Sequence, residues 1–261
     1  MINSTLKVPS AIRSVGVFVW RTMLKIRSAP GQMVSDLVIS IVSMLLFTFL
    51  FGGAIEGSPT EYVQFLFPGI LYMTVLPLTV YSGAALSRDI TTGLFDRLRI
   101  LGFWQPSPIV GTLVGDMLRY IIAVCGVSIT GVVIGFRPLG GIIGILLGLL
   151  LSILYAFCIS WIFAAFGVTS KNPDNVIQTG FLFVYISIFC SNIFTDFATM
   201  PKWMQQVIKF NPTTHVTTAT RLLMEGRFFT TEILITIVIC LFLLLIFVPL
   251  TFILYNKRGK E

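Results

Sequence analysis

From Gly141 to Val168 the chain carries no charged side chain. A helix needs about 20 consecutive apolar residues to cross the hydrocarbon core of a bilayer, so this run constrains the fold more than any other feature. Comparable runs lie at roughly Met33–Ala54, Phe65–Leu86, Pro108–Phe136, Val176–Phe194 and Glu232–Tyr255. Charged residues make up only 11% of the 261, and 56% are hydrophobic; a soluble domain carries about 25% charged residues. The expected fold is an all-α integral membrane protein with six transmembrane helices and no large soluble domain. Positions 1–30 hold no long apolar core, so no cleavable signal is expected.

Residues 1–30 carry Lys7, Arg13, Arg21, Lys25 and Arg27 and no acid. Ile12, Val15, Val19, Met23 and Ile26 recur at helical spacing, with Arg13, Arg21 and Lys25 mainly on the other side. This predicts a basic amphipathic helix in the interface of an anionic leaflet, ended at Pro30-Gly31. A six-span unit over 31–256 and a basic tail over 257–261 complete the chain. Orientation follows from lysine and arginine placement. With six spans, twelve of the 18 basic residues fall on the side of the termini and five on the other. Both termini are therefore expected in the cytoplasm.

Residues 195–230 are neither a span nor an ordinary loop. Pro201 sits where it can open a helix. Trp203, Met204, Val207 and Ile208 then share one face, with Lys202, Gln205, Gln206 and Lys209 opposite. Asn211-Pro212 repeats the device, an N-cap residue followed by proline in the first turn. Two short amphipathic helices are predicted, on the extracytoplasmic side. On the cytoplasmic side, residues 87–107 mix Arg88, Asp89, Asp96, Arg97 and Arg99 with Leu94, Phe95, Leu98, Leu101, Phe103 and Trp104. That pattern suits either a docking element for a soluble partner or an interfacial helix packed on lipid and neighbouring loops.

Within the spans, Asp36, Asp116 and Arg119 are the main ionisable groups, all near span ends, and Asp116 and Arg119 can pair at i, i+3. Gly140, Gly141, Gly144 and Gly148 cluster where the fourth span begins, and small residues let helices approach closely. No chain of acids crosses the midplane. The four cysteines fall in apolar runs without a CxxC pair, and His215 is the only histidine, so neither a disulfide framework nor a metal site is expected. No catalytic set is visible. The only Gly-Lys pair is Gly259-Lys260, and no P-loop exists; if ATP drives this protein, another polypeptide binds it. The net charge of +7 is distributed by membrane side and does not point to nucleic acid.

Three stretches resemble the ABC-2 type permeases, and the daunorubicin-resistance-like members in particular. Phe67-Pro68-Gly69-Ile70-Leu71 resembles the family's FPG segment. Gly93-Leu94-Phe95-Asp96-Arg97-Leu98-Arg99 resembles its G-x-x-D/E-R-L cytoplasmic loop. Met200-Pro201-Lys202-Trp203, Asn211-Pro212-Thr213, Arg221 and Gly226 resemble its stretch before the last span. Two departures stand out: Trp104-Gln105-Pro106-Ser107-Pro108 follows the RLR segment, and Phe194-Thr195-Asp196 precedes the MP-x-W segment.

The resemblance implies a permease subunit of a bacterial ATP-driven exporter in the cell membrane. Its substrate would be a hydrophobic drug, an antimicrobial peptide or a lipid-like molecule; the alternatives are a lipid-linked polysaccharide or ATP-independent secondary transport. It also implies pairing, as a homodimer or a heterodimer with a similar permease, above two cytoplasmic ATPase subunits that hold the ATP and Mg. The chain itself would bind no cofactor and carry no catalytic site. Asp89, Gly93, Leu94, Phe95, Asp96, Arg97, Leu98 and Arg99 would couple to the ATPase, with Leu94, Phe95 and Leu98 filling its groove. Pro201, Trp203, Asn211, Pro212, Thr213, Arg221 and Gly226 would form a re-entrant hairpin that gates the outer mouth.

Overall fold

The computed structural model describes residues 10–28, 30–55, 57–95 and 104–258. Its helices are α1 (Ala11–Ser28), α2 (Pro30–Leu46), α3 (Gly52–Ile55), α4 (Pro59–Thr91), α5 (Ser107–Ile134), α6 (Gly141–Thr169), α7 (Pro173–Phe189), α8 (Lys202–Lys209), α9 (Pro212–Met224) and α10 (Thr231–Arg258). A π-helical turn, Phe47–Phe51, joins α2 to α3. No strand occurs among the described residues.

Five stretches are long and apolar enough to cross a membrane: Met33–Phe51, α4, α5, α6 and α10. The sixth expected span, Val176–Phe194, corresponds to α7, which begins and ends earlier than predicted and has 17 residues. At 1.5 Å per residue it is about 26 Å long, slightly less than the ~30 Å core. Together with the segment after it, which reaches Phe194, it nevertheless runs from one end of the bundle to the other. Its start follows Ser170, whose carbonyl accepts from Ser87 near the end of α4 and from Arg258 at the end of α10. Its end leads to Phe194, whose carbonyl accepts a 2.9 Å bond from the Tyr62 hydroxyl at the start of α4.

α4 is the central helix, buried along most of its length. It starts at Pro59, earlier than the predicted Phe65, because Ser58 caps it, accepting from the Glu61 N–H at 3.3 Å, and proline fills the first turn. Pro68 and Pro77 lie inside it. It meets α6 where two glycines face each other. A Cβ on Gly167 would come within 2.1 Å of the Gly83 carbonyl oxygen, and one on Gly83 within 2.3 Å of the Phe163 carbonyl oxygen. Only glycine allows that approach.

α1 packs on the bundle by a face other than the predicted apolar stripe. Ser14, Phe18 and Thr22 are its buried residues, and they pack on the first turns of α5. Cβ atoms on Gly111 and Gly115 would strike Phe18 and Thr22. The predicted stripe flanks that face: Val15, Val19, Met23 and Ile26 are half-buried, but Ile12 is exposed. The small residues of α5 set the face, because Gly111 and Gly115 leave room for Phe18 and Thr22.

Candidate functional site

The residues singled out between α7 and α10 run from the middle of α6, where Thr213 meets Tyr155, to its start, where Gly226 meets Gly140. α8 is amphipathic, with Ile208 inside and Trp203, Val207 and Phe210 exposed. Pro201 stands at its N-cap position, one residue before the first turn, and its side chain makes no capping bond. The Asn211 side chain then serves two helices. Its Oδ1 accepts from the Thr213 N–H at 3.0 Å, capping α9. Its Nδ2 donates to the Ser187 and Cys190 carbonyls at 2.7 and 2.6 Å, satisfying the end of α7. Terminal helix groups need such partners, and this amide explains why α7 stops at Phe189.

The start of α9 lies far along α6. Thr213 Oγ1 bonds the Tyr155 hydroxyl at 3.1 Å and Ser187 Oγ at 2.6 Å. Tyr155 is about 21 Å along α6 from Gly141 at helical rise. Further on, the Tyr72 hydroxyl bonds Thr220 and donates to the Val216 carbonyl at 3.3 Å. α9 then climbs along the glycine stripe of α6. A Cβ on Gly144 would lie 2.5 Å from the Leu223 carbonyl oxygen, and one on Gly148 would lie 2.7 Å from Met224 Cε. The expected close approach at these glycines is therefore observed, and α9 is the partner.

Gly226 ends α9 with φ +87. The Arg227 N–H donates to the Leu222 carbonyl and the Gly226 N–H to the Leu223 carbonyl, the double bond pattern of a left-handed glycine cap. The Gly140 N–H donates to the Met224 carbonyl at 2.8 Å and ties the cap to the start of α6.

Arg221 joins the hairpin to the FPG segment. Its Nε and Nη2 donate to the Phe65 carbonyl at 3.2 and 3.1 Å, and Nη2 to the Asn192 carbonyl at 3.3 Å. Its guanidinium carbon lies 3.7 Å from the centroid of the Phe65 ring, within cation–π range. Pro68 breaks the helical hydrogen-bond ladder of α4 just beyond Phe65 and disturbs the carbonyls of the preceding turn. Gly69 admits the chain after α7: its Cβ would lie 2.6 Å from Ile193 Cγ2. Phe67 stacks on Phe136 at 4.1 Å. Glu61, Gln64, Arg137, Arg221, Glu225 and Arg227, with Phe136, Leu139 and Met224 among the apolar lining, border a cavity of about 670 Å³ here. His215 bonds Glu232 Oε2 through Nδ1 at 3.0 Å and the Lys209 carbonyl through Nε2 at 2.9 Å, linking α8, α9 and α10.

At the opposite end, Asp89 sits in the last turn of α4. Arg21 holds its carboxylate with two bonds of 2.6 and 2.8 Å, and Lys25 adds a third at 3.3 Å. Gly93, with φ +70, turns the chain out of α4. Leu94 is half-buried. Phe95 differs from expectation: it is buried within the chain, edge-on to Tyr255 at 5.3 Å between ring centroids. It packs there against the end of α10. Asp96, Arg97, Leu98 and Arg99 lie outside the described residues. Arg119 Nη2 lies 3.8 Å from Asp116 Oδ1, as the spacing predicted, and Ser82 donates to Asp116 Oδ2 at 2.6 Å.

Residues 13–224 match the ABC-2 type transporter family. The chain belongs to that family. This ABC-2 permease is also 39% identical over 252 residues to the daunorubicin resistance ABC transporter permease protein DrrB1 of Streptomyces coeruleorubidus, covering 97% of this chain and 89% of that protein. The described residues of the three motif stretches lie at the hairpin seat and at the end of α4. Sequence reasoning missed Phe65, Tyr72, Tyr155, Ser187 and Asn192. Each is a polar or aromatic residue in an apolar run, and nothing local reveals its partner.

Proposed function

We propose that this permease is the membrane subunit of an ATP-driven exporter that moves a hydrophobic drug, antimicrobial peptide or lipid-like molecule out of the cell. The carrying observation is its near full-length likeness to a daunorubicin resistance permease. In this reading two permeases pair above two ATPase subunits, which supply ATP and Mg. The chain crosses the membrane six times, α7 being the fifth crossing, with both termini in the cytoplasm. The pairing of Ser170 with Ser87 and of Phe194 with Tyr62 at opposite ends supports that count.

The α8–α9 hairpin then re-enters from outside and seals the outer mouth. Residues 87–107 and α1 receive the stroke of the ATPase, and the Arg21–Asp89 junction passes it to α4. Leu94, Leu98, Asp96, Arg97 and Arg99 carry the contacts to the ATPase, whereas Phe95 fixes the base of the loop. The test is daunorubicin transport in inverted membrane vesicles containing the permease and its partner ATPase. ATP-dependent accumulation, lost when either subunit is omitted, is expected. Accumulation by the permease alone, driven by an ion gradient, would overturn the reading in favour of secondary transport.

A further inference from the structure

A second cavity, of about 490 Å³, lies along α6 between α7 and α10. Its floor runs from Tyr155 to Thr169 on α6, about 21 Å at helical rise. Ile162, Phe166, Phe183 and Phe247 wall it, and no acidic or basic side chain lines it. Phe166 and Phe183 are exposed at its rim, so it opens sideways at the depth of the spans. A volume this small spread over that length describes a narrow slot, matched to an extended aliphatic chain. One leaflet is about 15 Å deep, half of the ~30 Å core, so a single acyl chain fits lengthwise.

The two ends of the slot differ. Near Tyr155, Ser187 and Pro212 the polar groups are neutral and bonded to one another. Near Thr169 and Leu254 the chain is basic. Arg258 Nη1 donates to the Val168 carbonyl and, at 2.8 Å, to the Ser170 carbonyl. These bonds fix the cation beside the mouth, and a guanidinium has further N–H donors. Lys257 and Lys171 are its neighbours in sequence and beside Ser170, and both are exposed. Asp174, exposed in the first turn of α7, is the acid nearest Lys171 in sequence. Arg258 has no carboxylate partner among the described residues.

The geometry points to a binding site for one anionic phospholipid, its acyl chain in the slot between α6, α7 and α10 and its phosphate on Arg258 with Lys171. Basic pockets between spans recognise anionic headgroups in this way. The site goes beyond the transport reading and rests on it only for the leaflet, which is the cytoplasmic one when both termini are cytoplasmic. It predicts that the permease carries lipid whether or not it transports drug.

The test is native mass spectrometry of the full-length permease, delipidated and then titrated in detergent with phosphatidylglycerol or phosphatidylcholine. Phosphatidylglycerol is expected to bind more tightly, with Lys171→Gln weakening it about fivefold and the Lys171→Gln/Arg258→Gln pair about 25-fold. Lys171→Gln removes no bond within the described fold, so its loss of affinity does not come from unfolding. Ala165→Phe, which fills the slot, is expected to abolish retention of both lipids. Equal binding of the two lipids, or full retention in folded Ala165→Phe, would overturn the site. Displacement of the lipid by daunorubicin, with Lys171→Gln unaffected, would overturn it in favour of a substrate path. Vesicle transport scores the exporter reading separately, because the lipid measurement needs no ATPase.

Discussion

The two ends of this permease are fastened by different chemistry. At the hairpin, Asn211, Thr213, Tyr155 and Ser187 exchange short neutral hydrogen bonds within the bundle, and glycines bring backbones into contact. At the α1–α4 junction, one carboxylate faces two cations, Arg21 with 35% and Lys25 with 48% of the side chain exposed. Buried neutral bonds are insensitive to salt and costly to break singly, because the remaining partner stays desolvated. Asp89 is buried, with 8% of its side chain exposed, but its cations face solvent, so this pair responds to salt as a neutral bond does not. The contrast suits a fixed seal at one end and a yielding joint at the other.

The largest effect is expected at Asn211. Asn211→Ala removes the cap of α9 and orphans two carbonyls of α7, which should cost roughly 2–4 kcal/mol. Thermal unfolding in detergent checks it; an unchanged midpoint would remove the hairpin from the load path of the fold. Gly144→Ala comes next, at about 1–3 kcal/mol for overpacking, because the new methyl meets the Leu223 carbonyl oxygen at 2.5 Å. A folded variant with wild-type stability would show that α9 shifts freely on α6.

Asp89→Asn should cost about 1–3 kcal/mol, more at low salt than at high salt. Its larger consequence is expected in coupling: vesicle transport falls while membrane insertion stays normal. Transport at the wild-type rate would break the assignment of a joint. Lys202→Gln, on the exposed side of α8, should change stability by less than about 0.5 kcal/mol and leave transport intact.

Much of this architecture is legible in the residues. Hydropathy marks the spans, Asn211-Pro212 marks a helix start, and Gly140, Gly144 and Gly148 mark a close approach. Each is a local signal with a local cause. Ser58-Pro59 was also readable as a cap and first turn, yet the polar residues around it read as a loop. Other features are absent from local pattern because a distant residue decides them. Periodicity does not say whether the apolar stripe of an interfacial helix meets lipid or another helix. Gly111 and Gly115 of α5 select the Ser14–Phe18–Thr22 face of α1. Phe95 reads as an exposed docking group until Tyr255 is seen opposite it. The early end of α7 depends on an amide that lies beyond its last residue by a full hairpin arm.

The most direct test of the contrast is hydrogen–deuterium exchange of the permease in nanodiscs at low and high salt. Amides of 213–224 in the hairpin should stay protected and indifferent to salt, whereas those of 11–28 in α1 should exchange faster as salt rises. Fast exchange in the hairpin, or salt-independent protection of α1, would contradict the account of a fixed seal opposite a yielding joint.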